Sequence, residues 1–301
     1  MIKKTLFNAL LSPLKVTLLL LSLGGVCLLS GCHFSGGVLD PKGFVARQER
    51  TLMMDSIAMM LIVVIPVIIM SFAFAFRYRK THDNKSKYRP DWSHNALLEA
   101  VWWGVPMVII VVLGIWTWVY SHSLDPYRPL DKKIAGTKKP LVIDAIALRW
   151  KWLFLYPEQG IATVNDVHFP VDRAVTFRIT SDAPMSAFFI PQLGSQIYAM
   201  AGMETQLNLK ADVVGKFIGM DTQYNGDGFS DMKFWTHVTT EKDFASWVSS
   251  AKQKKHTLTD ALYKKLWCPS MNTNKVSYNP VIFSDYQSSD LFNKIKAQFK
   301  G

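Results

Sequence analysis

The chain has 301 residues, 49% of them hydrophobic and 19% charged, and 34 Lys and Arg against 23 Asp and Glu give a formal charge of +11. That length holds one ordinary domain together with membrane segments. The basic residues do not gather into a single stripe, which argues against nucleic acid as the partner they serve.

The first element is a leader. Residues 1–31 carry Lys3, Lys4 and Lys15, then an apolar run, then small residues, the layout of a cleaved secretory signal. Its end, Leu29-Ser30-Gly31-Cys32, resembles the bacterial lipoprotein signal, in which the Cys becomes N-terminal and carries lipid, palmitate included. Cys32 is therefore the expected lipidation residue.

Two apolar spans come next, Ile57 to Phe76 and about Ala100 to Tyr120. Each has roughly the 20 residues that a helix needs to cross a bilayer. Trp102 and Trp103 at one end of the second span, with Trp116, Trp118 and Tyr120 at the other, match two interfacial belts. Pro66 and Pro106 are expected as packing kinks. The short intervening loop, residues 77–92, is rich in Arg and Lys and is expected in the cytoplasm. Both outer ends of the hairpin then face outward, in agreement with an exported Cys32.

From about Ser121 a Pro- and Lys-rich connector leads into short runs rich in Val, Ile, Thr and aromatics, broken by Pro, Gly, Asp and Asn. Seven or eight strands are expected, forming a small antiparallel sandwich or Greek-key barrel over residues 121–240. Residues 241–301 read instead as a helical, aromatic-rich arm. Thr239 or Thr240 caps its first helix, "LTDALYKKLW" and "SSDLFNKIKAQF" supply two more, and Tyr278, Phe283 and Tyr286 are docking anchors. Once Cys27 leaves with the signal and Cys32 takes lipid, Cys268 is the remaining thiol, expected as a lone core residue. His33, His122, His168, His237 and His256 show no HxH or HxxxH spacing, and no nucleophile or nucleotide motif occurs. By spacing alone the exported domain has no catalytic centre.

Three segments carry a family resemblance: "ALRWKWLFLYPEQGIATVN", "SAFFIPQLGSQIYAMAGM" and "YNGDGFSDMKF". They resemble subunit 2 of the haem–copper terminal oxidases, on the branch of the bo-type ubiquinol oxidases, and the likeness covers essentially the whole chain. The resemblance implies a cupredoxin-like fold for the sandwich. In cytochrome c-oxidising relatives that fold holds a dinuclear copper centre. Its side-chain ligands would fall here on Ser186, Tyr224, Gly228, Met232 and Trp235, and a carbonyl-donating position on Gly226. No thiolate or imidazole stands at any of them, and soft sulfur is what holds copper in such a centre. The glycines are expected to keep the old turn while Tyr224, Phe229 and Trp235 fill the volume.

The same resemblance implies a subunit with no cofactor of its own. Haems and copper belong to a partner subunit 1, further small membrane subunits complete the complex, and ubiquinol is the electron donor. The expected location is the bacterial inner membrane, with the sandwich in the periplasm. Glu99, at the cytoplasmic end of the second span, matches an acid at the mouth of a proton-uptake path. Trp150 and Trp152 are expected as core and interface aromatics. Two other readings stand beside this one: a copper-bearing cytochrome c oxidase subunit with unusual ligands, and a membrane-anchored lipoprotein adaptor that shares the fold.

Overall fold

The computed structural model describes residues 36–79, 93–130, 138–254, 256–269, 281–286 and 291–298. The signal segment, Cys32, Tyr278 and most of the loop 77–92 lie outside the described residues. Helices α1 (Phe44–Arg77) and α2 (Ala96–Ser123) contain the two apolar spans, and both are long and apolar enough to cross a membrane. Asn95 caps α2 by accepting from the Leu98 amide at 3.0 Å. Pro66 and Pro106 lie inside the helices without ending them.

Helix α1 begins at Phe44, well before the apolar span at Ile57, because its polar first turns dock on the sandwich. Val45 and Ala46 are buried there. The Lys42 and Ala46 amides donate to the carbonyls of Gln192 and Leu193 at 2.7 and 3.1 Å. The Ser195 hydroxyl donates to Glu49 at 2.5 Å. Glycine is required where these backbones meet, since a Cβ on Gly194 would lie 2.7 Å from the Val45 side chain.

The strands are β1 (Leu141–Leu148), β2 (Lys151–Tyr156), β3 (Ile161–Val164), β4 (Asp166–Pro170), β5 (Val175–Ser181), β6 (Ser186–Ile190), β7 (Gly194–Ala199), β8 (Thr205–Leu209), β9 (Gly215–Asp221) and β10 (Lys233–Thr239). They make two sheets. One is six-stranded, in the order β12-β3-β2-β1-β5-β8, where β12 (Val281–Phe283) comes from the C-terminal arm. The other is five-stranded, in the order β4-β10-β9-β6-β7.

Two expectations change here. The sheets are mixed: β1 runs parallel to β5, and β4 parallel to β10. Parallel neighbours need a crossover instead of a tight turn, so strand spacing along the chain does not reveal them. There are also more strands than the pattern suggests, because two apparently continuous runs are each cut in two. Trp150 (φ 62°) breaks the first and Asn165 (φ 55°) the second. A Trp in the left-handed region is not something a propensity reading anticipates.

Between the sheets sits an aromatic core of Trp152, Phe154, Phe177, Phe188 and Phe234. Phe188 and Phe234 stack at 5.1 Å, and Trp152 meets Phe188 edge-on at 5.2 Å. Each such ring contributes roughly 1.5–3 kcal/mol by leaving water.

The first helix of the arm packs on the main core beside β4, and the rest of the arm covers the outer face of the six-stranded sheet. The arm comprises α3 (Glu241–Lys252), β11 (Thr257–Leu258), α4 (Asp260–Trp267), β12, β13 (Asp285–Tyr286) and α5 (Leu291–Gln298). Leu258, Phe283, Tyr286, Leu291, Phe292 and Ile295 close over Ile146, Leu148, Leu153 and Leu155 in a second core. Strand β2 is therefore buried along its whole length, which is why it reads as an apolar run and does not alternate. Thr240 is the cap of α3, accepting from the Asp243 amide. Cys268 is exposed at the end of α4 and is not a core thiol. Its helix lies on the sheet through Tyr263 and Trp267, which both donate to Asp182 and leave the next residue outside.

Candidate functional site

The loop after β9 is held by one amide side chain. Asn225 Nδ2 donates to Ser186 Oγ at 2.9 Å and to Asp221 Oδ2 at 2.8 Å, and lies 3.4 Å from Met232 Sδ. Asp221 Oδ1 in turn accepts from the Ala187 and Gln223 amides at 2.7 and 2.9 Å. Burial pushes the Asp221 carboxyl above its ordinary range, against the pull of those amides. Ser186 and Met232 are both fully buried, and Met232 belongs to the aromatic core. The structure thus brings Ser186 and Met232 together, joined through Asn225 and Asp221, two residues that alignment on the metal positions does not single out.

The volume over the loop is filled by Trp150. A Cβ on Gly228 would lie 2.4 Å from the Trp150 ring, and one on Gly226 (φ +120°) 3.3 Å from it. Gly228 is therefore required by the ring, and Gly226 by its left-handed backbone. Tyr224 does not fill the volume as expected: it is 71% exposed and meets Phe229 edge-on at the surface. Trp235 also points elsewhere, onto the outer face of the five-stranded sheet under the Lys216 ammonium, 4.0 Å from its ring centroid. The left-handed backbone at Trp150, invisible in the sequence, sets the indole against Gly226 and Gly228, while the alternation of β10 turns Trp235 outward as it turns Phe234 inward.

Glu99 lies in the first turn of α2, exposed, with His94 Nδ1 at 2.5 Å from its carboxylate. It is remote in sequence and in element from the loop, and the two form no common site.

A third group was not legible from spacing. Asp166 and His168 of β4 face His237 of β10, because the parallel pairing sets His237 directly opposite His168. His168 Nε2 is 2.8 Å from Asp166 Oδ2, and His237 Nε2 is 3.1 Å from Asp166 Oδ1. The two imidazoles stack at 4.4 Å with planes 5° apart, and Trp247 of α3 stacks on His168 at 4.1 Å. Burial pushes Asp166 upward, but the two histidine hydrogen bonds outweigh it and hold the carboxyl below its usual range. Burial holds His168 below the usual imidazole range, with Asp166 opposing. The sequence signal was the alternation Asp-x-His and Trp-x-His in two strands, which lacks only their register.

Comparison with known proteins places the chain in a family. A cytochrome bo(3) ubiquinol oxidase subunit 2 of Pseudomonas putida is 47% identical over 277 residues, covering 92% of this chain and 84% of its own. The chain belongs to this ubiquinol oxidase subunit 2 family. The Pseudomonas aeruginosa protein of the same name is 48% identical over 280 residues, covering 93% of this chain and 81% of its own. A quinol oxidase subunit 2 of Bacillus subtilis is 40% identical over 268 residues, covering 88% and 81%. Among solved structures, the periplasmic domain of subunit II of cytochrome oxidase of Bradyrhizobium japonicum aligns with 39% of this chain and 98% of its own, at 27% identity and a TM-score of 0.37. No protein-family model matches.

The β-sandwich of this subunit 2 follows two helices long and apolar enough to cross a membrane. The side chains gathered at the loop after β9 are a hydroxyl, an amide, a carboxylate and a thioether, with Asn225 Oδ1 buried and without a partner among the described residues. That donor set does not fit a dinuclear thiolate-bridged centre.

Proposed function

We propose that the chain acts as the non-catalytic subunit 2 of a proton-pumping respiratory quinol oxidase, which oxidises ubiquinol and reduces oxygen to water. The observation that carries this reading is the closure of the loop on itself. Asn225 Nδ2 engages Asp221, Ser186 and Met232 at once where a copper relay would need thiolates and imidazoles. A soluble donor such as cytochrome c requires that relay on the outer face. A quinol dissolved in the membrane does not, since it can reach the haem-bearing partner from within the bilayer. The chain then carries no redox cofactor, and haems and copper reside in subunit 1.

The apolar surfaces of α1 and α2 are uncovered in the described residues and suit bilayer and subunit 1 as neighbours, with further small membrane subunits completing the complex. The family suits a membrane-anchored subunit, and the basic loop 77–92 and the Leu29-Ser30-Gly31-Cys32 segment support an inner-membrane position with that loop in the cytoplasm, the sandwich in the periplasm and lipid on Cys32. In that orientation Glu99 lies on the side from which protons are drawn. Its exposure and its contact with His94 suit a group that collects protons for a path into subunit 1.

The test is oxygen uptake by the complex purified through a tag at the C-terminus of this chain, with ubiquinol and reduced cytochrome c compared as donors. Uptake with quinol alone is the expected result. Uptake only with cytochrome c would overturn the reading, and absence of any co-purifying haem protein would favour a free-standing adaptor. Glu99→Ala is expected to slow quinol turnover severalfold with the complex intact.

A further inference from the structure

We propose that Asp166, His168 and His237 form a divalent-metal site, suited to Zn2+, on the outer face of the five-stranded sheet. It lies apart from the loop and is independent of the quinol reading. Two imidazoles and a carboxylate are presented from adjacent, paired strands, and their ligand atoms all lie within 4.8 Å of one another. Nitrogen and oxygen donors without sulfur suit Zn2+ rather than Cu+. Bonds of about 2.0–2.2 Å in a tetrahedral arrangement set ligand atoms roughly 3.3 Å apart. Asp166 Oδ2 stands 2.8 Å from His168 Nε2 and Oδ1 3.1 Å from His237 Nε2, so the carboxylate lies between both imidazoles and small side-chain rotations would bring one oxygen and the two nitrogens onto a common ion.

The frame is rigid where it needs to be. The side chains of Asp166 and His168 are 5% and 12% exposed, and Trp247 backs the His168 ring. His237 is 28% exposed and leaves one side of the cluster open to solvent. Three protein ligands with an open fourth position are the arrangement in which zinc keeps a water. Lys216 is the cation opposite His237 in the strand pairing, and its ammonium is engaged over the Trp235 ring. For the ion to bind, each Nε2 lone pair must face it, so a proton shared with Asp166 leaves for Nδ1 or for solvent.

The experiment uses the full chain in detergent, carried on a tag without histidines and stripped with chelator, and titrated with Co2+ and then Zn2+. One Co2+ per chain is expected to give the visible absorption of a low-coordinate Co2+–imidazole complex, and Zn2+ is expected to displace it. His237→Ala and His168→Ala should each weaken binding at least about 100-fold, with the β-sheet circular dichroism unchanged for the half-exposed His237. His94→Ala, which removes the other His–carboxylate contact among the described residues, should leave the spectrum intact. No saturable binding by the wild type would overturn the proposal. So would a correctly folded His237→Ala that binds as tightly as wild type, or a loss confined to His94→Ala.

Discussion

The loop after β9 and the cluster on β4 and β10 share one strand and have opposite chemistry. In the loop, at the place the family resemblance marks for metal ligands, the polar groups are spent on one another and Trp150 covers the glycines. In the cluster, where no spacing announces anything, two imidazoles converge on one carboxylate at a surface with an open side. The carboxyl groups differ accordingly. Asp221 takes backbone amides and is pushed up by burial, whereas Asp166 takes two histidines and is held down. A loop can thus turn its polar groups on one another, and donors can assemble wherever two strands come into register. Shape and ligand chemistry have to be read separately.

The largest effect expected is from the strand that serves both regions. Phe234 stacks on Phe188 in the core and lies against Gly219, where a Cβ would be 2.1 Å from the ring. Phe234→Ala should cost about 3–5 kcal/mol and disturb the loop and the cluster together. Hydrogen exchange that loosens only one of them would show that β10 does not couple the two. Next is Gly228→Ala, which drives a methyl into Trp150 and should cost about 1–3 kcal/mol, read as a drop in thermal midpoint. A neutral result would mean that the indole is free to move off the loop.

Asp221→Ala strands the Ala187 and Gln223 amides and the Asn225 side chain, for about 1–3 kcal/mol. Its pH dependence has a definite sign. The folded carboxyl sits above the ordinary 3.8, so the folded chain holds a proton at a pH where the unfolded chain has lost it. That stabilisation is full below the unfolded value and is lost as pH rises through the folded one. The deficit of the variant should therefore widen on going from about pH 7 to about pH 4.5. A deficit that narrows would show that the amide hydrogen bonds outweigh burial at this carboxyl.

Much of this architecture is legible in the residues themselves. The two apolar spans locate both helices because twenty uncharged residues have few other uses, and Thr240 and Asn95 mark helix starts through a capping chemistry that is local in sequence. That residues 221–235 hold neither Cys nor His is read directly from the sequence. The residues do not disclose what is non-local. The parallel pairings depend on crossovers, Trp150 reaches the loop only through a left-handed backbone, and His168 meets His237 only through strand register. The docking of α1 on the sandwich is likewise hidden, because the polar first turns of that helix look like a connector until Leu193 and Gln192 supply their carbonyls.

The smallest expected effect is the one that separates the two regions most cleanly. If the loop is held by its hydrogen bonds while the cluster is held by the sheet beneath it, removing a cluster side chain should hardly matter in chelator-treated buffer. His237 is part-exposed, and its contact with Asp166 at 3.1 Å leaves Asp166 still paired with His168 at 2.8 Å. His237→Ala should then cost only about 0.2–1 kcal/mol, well below Asp221→Ala measured side by side by denaturant unfolding. A loss as large as that of Asp221→Ala would mean that the stacked imidazoles are structural in their own right, with the pairing of β4 and β10 depending on them. A small loss leaves two histidines and a carboxylate converging at a place where stability does not require them.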